Sequence, residues 1–131
     1  MDLSELRQQW SKLARMGERK REAPLRAQLE GIAELTEEER QRQLESMVEF
    51  VYTLPDDQIA SFVRSTLRAW LSMDPGKAEK VARSYELAGE KTPEFIALRR
   101  ALIVPPIVRK FSSKEQERLR YLMAVALKGQ Q

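Results

Sequence analysis

Residues 54–76, LPDDQIASFVRSTLRAWLSMDPG, decide how the rest of this chain is read. Ile59, Phe62, Val63, Leu67, Trp70 and Leu71 recur at helical spacing and make an apolar face too wide for a surface helix. That segment therefore belongs at the centre of a core. Leu54-Pro55-Asp56-Asp57 forms the turn that opens it. Asp74-Pro75-Gly76 closes it and starts the next helix, with Asp74 as N-cap and Pro75 in the first helical position, where its missing N–H costs nothing.

Working outward, the same punctuation by proline, glycine and cap residues divides the chain into short helices. Towards the C-terminus, Ala78, Val81, Ala82 and Tyr85 line a fifth helix that stops at Gly89. Thr92-Pro93-Glu94 opens a sixth, about 93–103, and Pro105-Pro106 is expected to break it, because proline removes a donor and clashes with the preceding turn. Ser113-Lys114-Glu115-Gln116 reads as a capping box for a last helix that runs through Leu127 and ends before Gly129.

Towards the N-terminus, Thr36-Glu37-Glu38-Glu39 is a capping box with three acids where the helix dipole favours them. Leu44, Met47, Val48 and Val51 form the core face behind it. Val48–Thr53 is β-branched and aromatic enough for a strand, but it continues the helical spacing. Pro24 opens a short helix with Leu25, Leu29 and Ile32 on one face, and Glu18–Glu22 is either a polar connector or an extension of the helix before it. That first helix, about 3–16 with Ser4 as its cap, carries a narrow seam of Leu3, Leu6, Trp10 and Leu13.

The expected fold is all-α: one domain over 1–131, a compact bundle of six or seven short helices arranged as orthogonal or stacked hairpins. No self-similar repeat at a fixed period is apparent. The helix–proline–helix cadence of 54–88 is loosely similar to stacked short-helix repeats, a likeness that identifies no family.

Composition narrows the chemistry. The 131 residues contain no His, no Cys and no Asn. Disulfides, thiol chemistry, Ser-His-Asp triads, Cys- or His-based metal sites and N-glycosylation are all excluded. The acidic runs Glu37–Glu39 and Asp56-Asp57 sit where capping explains them, and neither fixes the carboxylate separation a hydrolase needs. No cofactor and no metal is expected. The N-terminal residues Asp2 and Glu5 argue against a signal peptide, and no apolar run approaches the ~20 residues of a membrane span. The chain is read as cytoplasmic.

Charge is uneven: residues 1–26 carry +3, residues 27–96 carry −6 and residues 97–131 carry +6. The basic end suits nucleic acid or another anion through Arg99, Arg100, Arg109, Lys110, Ser113, Lys114 and Arg118, with phosphate attracted to the helix start at Ser112–Lys114. It suits equally the chain's own acidic middle or a second subunit. Arg64 and Arg68, one turn apart, require an acid from a neighbouring helix or a partner.

Two apolar features point to protein partners. The Leu3–Leu6–Trp10–Leu13 seam must dock on something, because a helix this short is marginal alone. The seam seats on its own core or on a second chain, with Trp10 as anchor. The stretch around Pro105, Pro106 and Ile107 is a buried bend or a sticky surface for another chain. The leading expectation is a non-enzymatic protein-interaction module, an adaptor, assembly or regulatory factor, homodimeric. The alternative is a nucleic-acid-binding protein using the basic 99–128 region.

Overall fold

The computed structural model describes residues 2–128, with side chains through residue 124. Seven helices follow one another: α1 (Leu3–Ala14), α2 (Glu18–Ala33), α3 (Glu37–Val51), α4 (Asp56–Ser72), α5 (Pro75–Glu90), α6 (Glu94–Val108) and α7 (Ser113–Lys128). There is no strand among the described residues, and Val48–Val51 continues α3. The boundary expected before Gly129 lies outside the described residues.

Each helix packs chiefly against the helix two places along: α1 on α3, α2 on α4, α3 on α5, α4 on α6 and α5 on α7. Successive helices touch less. The result is a two-layer stack, with α1, α3, α5 and α7 in one layer and α2, α4 and α6 in the other, as in solenoids of helical hairpins. The core lies between the layers and runs from Leu6 and Trp10 through Leu44, Phe62 and Trp70 to Leu119 and Leu122.

The stack has a period that was not apparent from the sequence. Helices α2 to α7 begin at 18, 37, 56, 75, 94 and 113, a constant step of 19 residues. The residues immediately before these starts are Gly17, Thr36, Pro55, Asp74, Pro93 and Ser112, all of them suited to extended backbone ahead of a helix. Three turns are also closed alike. The fourth residue of the new helix reaches back to carbonyls seven and five positions upstream: Arg21 donates to Ala14 (3.3 Å) and Met16 (2.8 Å), Arg40 to Ala33 (3.4 Å) and Leu35 (2.9 Å), Gln116 to Arg109 (3.2 Å) and Phe111 (2.8 Å). These bonds satisfy helix C-terminal carbonyls that have no intrahelical donor. In α4 that fourth position is Ile59, and Arg99 from α6 supplies the missing donors to Tyr52 (2.8 Å) and Leu54 (3.1 Å).

Several boundaries differ from the sequence expectation. Asp2, not Ser4, caps α1 by accepting from the Glu5 N–H at 2.8 Å. Helix α2 starts at Glu18, so Pro24 lies inside it; the carbonyl it leaves without a donor belongs to the exposed Lys20. The cap of α7 is Ser112, one residue earlier than expected: its Oγ accepts from the Glu115 N–H (3.2 Å), and the Glu115 carboxylate accepts from the Ser112 N–H (3.0 Å). Thr36 makes only half of a capping box, accepting from the Glu39 N–H at 3.3 Å. The Glu39 carboxylate turns instead to Arg42 and Gln43, which hold its pKa down at about 2.

Pro105-Pro106 does not break α6, which continues through Val108. Both prolines sit in its last turn, where the Arg109 N–H still bonds the Pro105 carbonyl at 3.1 Å. The ladder bonds they remove would have gone to Ala101 and Leu102, both on the exposed side, where water can serve the freed carbonyls.

Candidate protein-interaction surface

The seam of α1 is spent on the chain's own core. Leu6, Trp10 and Leu13 are buried, and Leu3 alone of that set remains half-exposed. Arg21 fixes the docking: buried itself, it donates from Nε to the Leu13 carbonyl at 2.9 Å and from Nη1 to Ser61 (3.0 Å) and Ser65 (3.2 Å), with its guanidinium 5.0 Å from the centre of the Phe62 ring. Three of the four side chains expected to offer an interaction arm, Leu6, Trp10 and Leu13, are therefore inaccessible.

The surplus apolar surface lies on α6 instead. Phe95, Leu98 and Leu102 are 55%, 57% and 74% exposed, and Pro105 and Pro106 are exposed beside them. Their spacing puts all five on one stripe of the helix. Ile107, expected in this set, faces inward with Ile96 and Val108. The eighth residue of α2, α3, α4 and α5 (Leu25, Leu44, Val63, Ala82) is buried between helices; its counterpart in α6, Ala101, is bare. The twelfth behaves the same way, with Leu29, Val48 and Leu67 buried and Pro105 exposed. Helix α6 is the last described member of its layer, so the side that elsewhere receives the next helix receives nothing. An open groove of about 310 Å³ runs along it, floored by Ala97, Ala101, Val104 and Pro105 against Gly89 at the end of α5. By contrast α7, the last described helix of the other layer, turns Lys114, Glu117 and Arg120 outward.

What keeps α6 in this rotation is a pair of arginines. Arg99 ties it to the α3–α4 turn, adding Asp56 at 2.6 Å to its two carbonyls. Arg100 pairs with Glu86 at 2.8 Å, and its guanidinium lies 5.9 and 5.6 Å from the centres of the Tyr52 and Tyr85 rings. Burial works against the charge on Arg100, but the Glu86 carboxylate together with the Tyr85 and Tyr52 hydroxyls outweighs it and holds the guanidinium above the ordinary arginine range. Burial likewise pushes the Tyr52 and Tyr85 hydroxyls up. Gly89 makes room for this arrangement, since a methyl group there would run into the Arg100 guanidinium.

These contacts also scatter the expected basic site. Arg99 and Arg100 are engaged as described, and Arg118 reaches Glu79 at 4.0 Å and the Tyr121 ring at 5.3 Å. All three thus serve the acidic middle of the chain, whereas Arg64 and Arg68 share the carboxylate of Glu18 at the start of α2, each at 2.9 Å. Arg109, Lys110, Ser113 and Lys114 remain together at the exposed α6–α7 turn. The helix start beside them is already occupied by the Glu115 carboxylate, which opposes phosphate there.

Phe95, Leu98 and Leu102 were missed in the sequence, although a signal was present: the segment 95–108 is apolar on opposite faces, and a helix can press only one of them onto a single neighbour. Among the described residues no helix is long and apolar enough to cross a membrane, and no cluster of acidic side chains could hold a metal ion. No protein-family model, curated protein or solved structure matches this chain.

Proposed function

We propose that this chain is a non-enzymatic interaction module, an adaptor or assembly factor that works by presenting the outer face of α6 to another protein. The observation that carries this reading is the register of Phe95, Leu98, Leu102, Pro105 and Pro106 on one exposed stripe, which holds three of the five exposed large hydrophobic side chains among the described residues. Leaving each large side chain in water forgoes roughly 1.5–3 kcal/mol of burial, and a contiguous patch of this kind marks a binding surface. Helical stacks act as binding scaffolds elsewhere, which supports the reading at the level of architecture.

The test is a photo-crosslinking amino acid at position 102, with position 19 on exposed α2 as reference. Protein adducts should form from 102 in the native cell, persist at about 0.5 M salt, where exposed charge pairs are screened, and vanish when Phe95 and Leu98 are changed to Ser. Equal labelling from both positions would overturn the proposal. Nucleic-acid binding is the second reading, favoured by the exposed Arg109, Lys110 and Lys114 at one corner. It predicts affinity for random-sequence DNA or RNA that falls by orders of magnitude between about 0.05 and 0.2 M salt.

A further inference from the structure

We infer that the occupant of the α6 face is a second copy of this chain, packed α6 against α6 in antiparallel fashion about a two-fold axis. The inference rests on the reading of α6 as the working surface and names what sits there.

Three observations choose the second copy and its orientation. The first is size. The stripe exposes on the order of 400 Å² of apolar surface, as large as the functional patches of monomers. Two stripes face to face remove roughly 800 Å², the size of a weak, reversible contact.

The second is charge along the helix. The exposed Glu94 stands at the N-terminal end of the stripe, and the exposed Arg109 and Lys110 stand at its C-terminal end. Antiparallel packing sets Leu98 opposite the partner's Leu102 and Phe95 opposite the partner's prolines. It brings Glu94 within a turn of the partner's Arg109 at both ends, with the helix dipoles opposed. Parallel packing would place like charges together.

The third is the far end of the same layer. Helix α2, which a head-to-tail assembly would press onto α6, exposes Arg19, Lys20, Ala23, Pro24, Ala27 and Gly31 and no large apolar side chain. Docking it on the stripe would set charged and small residues against Phe95, Leu98 and Leu102 and match their apolar surface poorly. A self-complementary, closed contact is the arrangement that matches apolar to apolar.

The native chain has no cysteine, so single thiols introduced on α6 report the packing cleanly. Under mild oxidation, a mixture of Leu98→Cys and Leu102→Cys chains should form the mixed disulfide several-fold faster than either chain forms its own. In sedimentation equilibrium from about 1 µM to 1 mM, the 131-residue chain should dimerise. Glu94→Arg and Arg109→Glu should each weaken the dimer about tenfold, and the double exchange should restore it. Both positions are exposed, and a melt of each variant checks its fold.

Faster self-disulfides than mixed ones, or singles that the double exchange does not rescue, would overturn the antiparallel arrangement. A monomer throughout that range, with adducts to other proteins still forming from position 102, would remove the second copy but leave the proposed function standing. A monomer without such adducts would remove both.

Discussion

Helices α1 and α6 carry the same apolar cadence. Leu3, Leu6, Trp10 and Leu13 step by three, four and three residues, and so do Phe95, Leu98, Leu102 and Pro105. Leu6, Trp10 and Leu13 of the first set go into the core, with Leu3 left half-exposed, and the second set faces water. The difference lies in the rest of each helix. Around its seam α1 has Glu5, Arg7, Gln8 and Lys12, all exposed, so only one face can be buried. Helix α6 has a second apolar face, with Ile96 and Ile107, and the arginine bonds of Arg99 and Arg100 hold that face inward. Spacing identifies a face; competition among the faces of one helix decides where it goes.

The sharpest way to break this contrast is Trp10→Ala. Removing a fully buried indole should cost about 3–5 kcal/mol in urea denaturation, enough to unfold a marginal domain. A loss below about 1 kcal/mol would mean that α1 is not part of the core.

The next effect tests what fixes the rotation of α6. Glycine-to-alanine changes inside helices usually stabilise by roughly 0.5–1 kcal/mol. At Gly31, where an added methyl meets nothing within 4 Å, that gain is expected. At Gly89 the sign should reverse. The methyl meets the Arg100 guanidinium, which Glu86 and two tyrosine rings prevent from stepping aside, and a loss of about 1–3 kcal/mol follows. Paired thermal melts of Gly31→Ala and Gly89→Ala decide it; equal gains would show that Arg100 does not hold α6 in place.

How much of this was legible beforehand follows from which interactions are local. Caps are local, so Asp74, Pro75 and the start at Thr36 could be read directly. The 19-residue step is written in residues as unlike as Gly17, Pro55 and Ser112, which share a backbone role and no side chain, so it shows as geometry before it shows as letters. The donor that completes the α3–α4 turn comes from Arg99, more than forty residues away, and no local pattern announces it. The proline rule failed at Pro105-Pro106 because its penalty depends on where the freed carbonyls point, which only the packed helix reveals. The α1 seam was legible as a seam, but its destination was not.

A smaller effect concerns the turn that follows α1. Burial would raise the Glu18 carboxyl, but its hydrogen bonds to Arg64 and Arg68 outweigh this and hold it below the unperturbed 4.5. A depressed carboxyl stabilises the fold above its unfolded pKa, and that contribution is lost as pH falls through the lower folded value. Glu18→Gln should therefore cost about 1 kcal/mol at neutral pH, modest because the groups are partly exposed. The gap to the native chain should close on acidification below about pH 4.5. A gap unchanged down to pH ~2 would assign the loss to packing instead of charge.

The smallest effect completes the contrast. Leu102→Gln replaces the most exposed large apolar side chain among the described residues, so in dilute solution it should shift unfolding by no more than about 0.5 kcal/mol. Concentration then separates surface from interface. If α6 pairs with a second copy, association stabilises the folded form by mass action, and the native melting temperature should climb with protein concentration. Leu102→Gln should flatten that climb while leaving the dilute melt where it was. A substitution that costs nothing to the isolated fold, yet abolishes the concentration dependence, would separate the apolar residues that build this molecule from those it presents to another.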